Sequence, residues 1–147
     1  HVIVGDGPER KNLERLAREL GWQDRVLFVG ALMPRSSALF AMYSAAEVFV
    51  LPSVREGMGN VFIEAGAFGL PCLGVSDGGV SECIEEGKSG LLSRADDVED
   101  LCAKLRFMLK YPERARKMGA AGREKVRAEY SEEALTDRAI EVIESVC

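Results

Sequence analysis

The chain has one histidine, no Cys-x-x-Cys pair and no stripe of basic residues, and these shortages remove several functions at once. With His1 the sole imidazole and Cys72, Cys83, Cys102 and Cys147 scattered, a zinc site lacks ligands. Cysteines so spaced read as unpaired thiols in a reducing, cytosolic setting. Cys72 falls in an apolar strand and Cys102 on an apolar helix stripe, so both are expected in the core. A net charge of −5 with no offsetting basic run argues against nucleic acid as a partner. No stretch approaches the roughly 20 apolar residues that span a bilayer. There is also no initiating methionine and no signal-peptide pattern. Because His1 stands inside an apparent strand, the chain is expected to be a piece of a longer protein.

What is present is ordinary for a soluble globular domain: 47% hydrophobic and 29% charged residues in a 147-residue chain. Short apolar runs alternate with helical patterns. Residues 1–5, 26–30, 48–51, 70–75 and 90–92 read as strands. The first helix is expected to begin with Pro8 at its first position, to bury Leu13, Leu16, Ala17 and Leu20, and to stop at Gly21. Further helices are expected over residues 37–45, after Gly57, and through Glu82 and Ile84. Asp96 with Glu99 forms a capping box for a helix whose stripe is Val98, Leu101, Cys102, Leu105, Met108 and Leu109. Another helix runs from Pro112 to Tyr130. Ser131 caps the last one, striped by Leu135, Ala139, Ile140, Ile143 and Val146 with Val142 alongside. That stripe needs a partner surface, so its end is expected to be frayed, exposed or docked on a neighbour. Apolar strands separated by amphipathic helices imply an α/β domain, a doubly wound parallel sheet with ligands beyond the carboxyl ends of its strands.

Between Glu56 and Asp77 a single charged side chain occurs, Glu64, inside the run Val61-Phe62-Ile63-Glu64-Ala65-Gly66-Ala67. A carboxylate there is driven outward, neutralised, or kept ionised by groups that donate hydrogen bonds to it, such as sugar hydroxyls. Upstream, Gly57 and Gly59 flank Met58 and open the helix, where free N–H groups suit a phosphate. On one continuous helix, Glu56 and Glu64 would sit about 12 Å apart and could not share a small ligand. With Glu56 in the loop, both face one elongated ligand. A purely structural reading stands beside this one, with Glu56 a surface acid, Glu64 a solvated edge residue and the glycines a turn. Gly5-Asp6-Gly7-Pro8-Glu9-Arg10 is an incomplete dinucleotide fingerprint, because Arg10 replaces its third glycine and no acid ends the next strand.

The segment Leu51-Pro52-Ser53-Val54-Arg55-Glu56-Gly57-Met58-Gly59-Asn60-Val61-Phe62-Ile63-Glu64-Ala65 resembles the Glu-x7-Glu segment of the family 4 glycosyltransferases (glycosyl transferases group 1). Val4 to Pro8, Val29-Gly30, Tyr43 to Pro52, Gly69-Leu70-Pro71, Asp77-Gly78-Gly79 with Glu82, and Gly90-Leu91-Leu92 follow the family's order. The resemblance implies a Rossmann-like domain, the C-terminal, donor-binding half of a GT-B fold, over residues 1–147. The domain's first strand and the acceptor-binding N-terminal domain would then precede His1, as would the cations that neutralise the diphosphate.

By the same resemblance Glu64 holds ribose hydroxyls, and Glu56 contacts the donor hexose as the catalytic residue. Backbone amides at Met58, Gly59 and Asn60 meet sugar and diphosphate, with Gly57 in the same substrate-binding set, Leu32 lies by the base, and Gly5 lines the nucleotide cleft. Met58 stands where the family more often has phenylalanine. The implied reaction is retaining, metal-independent hexosyl transfer from a UDP-, GDP- or ADP-sugar to a glycan, lipid or small-molecule acceptor, without a cofactor. A nucleotide-sugar epimerase-like enzyme and a non-catalytic nucleotide-binding module are the rivals. The 147-residue chain alone is expected to bind a nucleoside diphosphate weakly and to transfer no sugar. The expected location is cytoplasmic, with peripheral attachment at the inner face of the membrane as the variant for the longer protein.

Overall fold

The computed structural model describes residues 1–54, 57 and 59–146, with the side chain of Val146 left aside. The chain forms two compact units, His1–Met42 and Tyr43–Cys147. In the first, β1 (Val2–Val4) and β2 (Leu27–Gly30) pair in parallel through Ile3 and Phe28, and α1 (Arg10–Glu19) connects them. The helix begins two residues later than Pro8 suggests. Asp6 accepts the Gly7 N–H at 2.9 Å and tightens the preceding turn, and the first helical hydrogen bond runs from Leu13 to the Glu9 carbonyl at 2.9 Å. Gly21 ends it as expected: Trp22 N–H returns to Ala17 and Gly21 N–H to Arg18, closing a Schellman motif. The expected burial of the stripe holds only at Ala17, since Leu13, Leu16 and Leu20 are exposed, as are Val2 and Val4. Two short strands offer too little sheet surface to cover them.

α2 (Ser37–Ala45) leads to β3 (Phe49–Val50), α3 (Asn60–Ala67), β4 (Cys72–Val75), α4 (Val80–Cys83) and β5 (Gly90–Ser93). β3, β4 and β5 make a second parallel sheet in the order β3-β4-β5, so the strands are shared between two sheets. All four residues of β4 are buried, which is the signature of a strand covered on both faces. Alternation assigns the faces. Leu73 joins Leu91, Met108 and Ala115 in one apolar cluster. On the other face the Cys72 thiol approaches the Phe62 carbonyl at 3.9 Å, and a Cβ on Gly74 would meet Val80 and Phe62. α3 therefore lies on the face opposite the cluster that holds α5 (Val98–Lys110) and Ala115 at the start of α6 (Pro112–Glu129), while the later turns of α6 pack against α3.

Cys72 is buried as expected, and burial pushes its thiol up to about 12. Cys102 is exposed, contrary to expectation. It stands about 120° around α5 from Met108, whereas Leu101 and Leu105 share the Met108 side. The cap of α5 is also one residue off the sequence reading. Asp97, not Asp96, accepts the Asp100 N–H at 2.9 Å, while Asp100 accepts the Arg94 N–H at 2.9 Å. Asp96 sits at φ 55° outside the helix. Asp97→Ala is therefore expected to cost about 1 kcal/mol in urea unfolding, and Asp96→Gly to be neutral or stabilising. Equal losses at both positions would contradict this assignment.

Ser131 caps α7 (Glu132–Val146), accepting the Ala134 N–H at 3.2 Å. Of the three outcomes expected for its stripe, the exposed one is found: Leu135, Ile140, Val142 and Ile143 are all open to solvent.

Candidate functional site

α3 follows β3 and begins at Gly59, whose φ of 64° and ψ of 33° lie in the left-handed region. Gly59 is buried there, and a Cβ would stand 3.2 Å from the Phe62 ring and 3.4 Å from the Cys83 sulfur. Backbone freedom and lack of a side chain are both used at this position. Among the described residues no side chain caps α3. In the first turn the Phe62 N–H is taken by the Gly59 carbonyl at 2.8 Å, and the N–H groups of Asn60 and Val61 before it lie at the positive end of the helix dipole. Asn60 is exposed, as is Gly57 before it. Glu56 and Met58 lie outside the described residues.

The helix turns Phe62, Ala65 and Gly66 inward and leaves Glu64 exposed. Of the three fates open to this carboxylate, the outward one is observed. Glu64 falls about 6 Å along the axis from Asn60, on the second turn. It is not solitary: Oε2 accepts a hydrogen bond from the Tyr43 hydroxyl at 3.0 Å. Tyr43, on α2, is only 7% exposed. Its ring stacks on Phe68 at 5.4 Å and tilts against Phe49 at 5.9 Å. Burial, followed by the hydrogen bond to Glu64 and its charge, holds the Tyr43 phenol far above its ordinary range, so it stays a donor.

β4 ends on the same rim. Ser76 N–H reaches the Ser93 carbonyl at 2.8 Å, and Asp77-Gly78-Gly79 leads into α4. The starts of α3 and α4 thus both follow the carboxyl ends of parallel strands, the side where such sheets place ligands. The Cys83 sulfur at the end of α4 lies 3.9 Å from the Gly59 carbonyl, which ties that end to the start of α3.

Gly5 and Leu32 belong to the first unit. Gly5 has φ 132° and donates its N–H to the Gly30 carbonyl at 2.8 Å. Leu32 is half-buried just after β2. Arg10, which breaks the dinucleotide fingerprint, is held by Glu14 at 2.9 Å, the Phe28 carbonyl at 3.3 Å and Asp6 at 3.4 Å. Its guanidinium lies 3.0 Å from where a Gly30 Cβ would be. The residue at the third-glycine position thus works as a structural clamp on this unit.

Among the described residues no cluster of three or more His, Cys, Asp or Glu side chains could hold a metal. Among them, too, no helix is long and apolar enough to cross a membrane. Two surface concavities of about 500 and 530 Å³ open elsewhere, around Arg123, Arg127 and Tyr130 and along Leu135 to Ile143. They are shallow dips beside α6 and α7, and neither includes Glu64 or Gly59.

Sequence reasoning passed over Tyr43 as a site residue and used it only to mark the start of a matching flank. A buried tyrosine calls for a hydroxyl partner, but nothing in the local sequence points across 21 positions to Glu64.

A family model described as glycosyl transferases group 1 matches residues 1–125. The chain belongs to this family. Among relatives in this family, it is 32% identical to the N-acetyl-alpha-D-glucosaminyl L-malate synthase of Bacillus anthracis, over 93% of this chain and 35% of that protein. It is 36% identical to the GDP-mannose-dependent alpha-(1-6)-phosphatidylinositol monomannoside mannosyltransferase of Mycobacterium tuberculosis, over 88% of this chain and 35% of that protein. The chain thus spans about a third of the length of these curated relatives.

Sucrose-phosphate synthase of Thermosynechococcus elongatus superposes with a TM-score of 0.85 at 33% identity, covering 99% of this chain and 38% of that one. Anabaena HepE, solved with UDP, superposes with a TM-score of 0.86 at 21% identity over 98% of this chain and 40% of its own, a likeness of fold. The parallel α/β class and the GT-B relationship read from the sequence stand.

Proposed function

We propose that this chain binds the donor in a retaining glycosyltransferase, taking a nucleoside diphosphate sugar for hexosyl transfer to an acceptor hydroxyl. The observation that carries the reading is α3 itself. An uncapped helix start at Gly59 and an outward carboxylate one turn further on, at Glu64, follow the carboxyl end of a parallel strand. A diphosphate matches the helix start and a ribose diol matches the carboxylate. A GDP-mannose-dependent relative and a UDP-bound neighbour support a nucleotide-linked donor.

In this reading Glu64 accepts from the ribose hydroxyls, and the backbone at Gly57, Met58, Gly59 and Asn60 receives sugar and diphosphate. Glu56 orients the hexose, Leu32 lies near the base, and Gly5 lines the nucleotide side. The acceptor oxygen bonds to the anomeric carbon as the bond from that carbon to the diphosphate breaks, and the acceptor hydroxyl's proton passes to the departing diphosphate oxygen. The barrier lies in the negative charge gathering on the departing diphosphate, which first-turn N–H groups stabilise without a metal. A covalent carboxylate intermediate would need Glu56 as nucleophile. Its proposed role is to orient the sugar. Diphosphate-neutralising cations and the acceptor site belong, in this proposal, to a longer cytoplasmic protein, with the inner membrane face as a place of attachment. The acceptor is a glycan, a lipid or a small molecule.

The longer protein, incubated with UDP-, GDP- and ADP-hexoses and an acceptor set, is expected to release nucleoside diphosphate and form an α-glycoside from an α-linked donor, read by proton NMR. Inversion would overturn the stereochemical claim. Accumulation of free or epimerised sugar, with no glycoside, would favour an epimerase-like enzyme instead.

A further inference from the structure

We infer that Tyr43 is a positioning residue that makes this site selective for ribose over deoxyribose, by holding Glu64 in one orientation. The inference rests on the proposed role of Glu64 toward the ribose. Glu64 is exposed, and a free glutamate on a helix surface loses considerable rotamer freedom whenever it is fixed by a ligand. Here that loss is already made before the nucleotide arrives. The Tyr43 ring is buried, stacked on Phe68 and tilted against Phe49, so its hydroxyl has little freedom of its own. Phe49 in turn meets Phe62 edge-on at 5.4 Å, which links the ring set to the buried side of α3.

With Oε2 accepting from Tyr43 at 3.0 Å, and no hydrogen bond to Oε1 among the described residues, Oε1 is the oxygen that accepts from a sugar hydroxyl. An acceptor held this way discriminates between hydroxyl and hydrogen at the ribose 2′ position better than a mobile one, because preorganisation removes the ordering cost. The competing view is that Glu64 merely satisfies a buried phenol.

The test uses UDP, GDP and ADP with their 2′-deoxy counterparts, titrated calorimetrically into the wild-type protein and into Tyr43→Phe, Phe68→Leu and Glu64→Ala. Tyr43→Phe keeps the ring set and removes one hydroxyl. It is expected to reduce the ribose preference roughly fivefold to tenfold while leaving affinity for the deoxy nucleotide within about twofold. Should Tyr43→Phe fail to fold, Phe68→Leu decides, with an expected loss of preference of roughly threefold from loosening the stacked ring. An unchanged preference in the deciding variant, alongside a lost preference in Glu64→Ala, overturns the role of Tyr43 and leaves that of Glu64 standing. An unchanged preference in Glu64→Ala, or no binding of any of the three nucleotides by the wild type, overturns both.

Discussion

Gly119→Ala is expected to destabilise the protein by about 2 kcal/mol, although alanine is the better helix former. Gly119 stands in the middle of α6, where it meets the turn that ends α3. A Cβ there would collide with the Gly69 carbonyl oxygen and stand 3.0 Å from the Pro71 nitrogen. Both neighbours are backbone, so no side chain can rotate away and the helices must part. Overpacking of this kind costs about 1–3 kcal/mol, and a backbone clash belongs at the upper end. The helix-propensity gain of about 1 kcal/mol offsets only part of it. Gly7→Ala, with open space around the new methyl, serves as the control and should shift the denaturation midpoint little. Because Gly66 on α3 packs against Gly122 and Val126 of α6 in the same contact, the shift would carry Glu64 with it. Nucleotide affinity should therefore fall along with stability. A Gly119→Ala protein as stable as the wild type would show that the two helices are not in the close contact described.

Glu64→Gln is expected to separate binding from folding. The amide keeps an oxygen that can accept from Tyr43, so the buried phenol retains its partner. What it loses is the negative charge that strengthens bonds from sugar hydroxyls. Nucleotide binding should weaken by about 1.5–3 kcal/mol, the range for hydrogen bonds to a charged group. The unfolding midpoint should stay nearly in place, because Glu64 is exposed and lies on none of the packed faces of α3. Calorimetric titration and urea unfolding of the same preparation give both numbers. A variant that unfolds readily yet binds normally when folded would make the carboxylate structural.

Much of the sheet was legible because β4 is apolar and buried at every position, which only a doubly covered strand tolerates, and β5 is apolar up to its closing Ser93. The same logic misled at β1 and α1, where apolar residues occur but the unit buries few of them. Periodicity over-counted the face of α5 as well, since a stripe of alternating apolar residues drifts around the helix and carries Cys102 out of the core. Two adjacent acids, Asp96 and Asp97, could each have capped α5, and the hydrogen bond Asp97 accepts from Asp100, with the backbone angle at Asp96, decides between them. Glu64 stood out as the lone charge in an apolar run, and it is an outward residue of α3, as Asn60 and Ala67 are. Its partner was hidden because Tyr43 reaches it through tertiary packing of Phe49 and Phe68, which no spacing rule encodes. Arg10 was legible as a break in a fingerprint but not as a clamp, since its Phe28 contact also crosses between elements.

The most direct measurement is amide chemical-shift mapping of the isotopically labelled protein during titration with UDP, GDP and ADP. The account predicts saturable shifts for at least one nucleotide, concentrated at Gly59, Asn60 and the turn of α3 that bears Glu64. The concavities beside α6 and α7 should stay silent. Shifts confined to the Arg123–Tyr130 region or to α7, with the start of α3 unchanged, would contradict it.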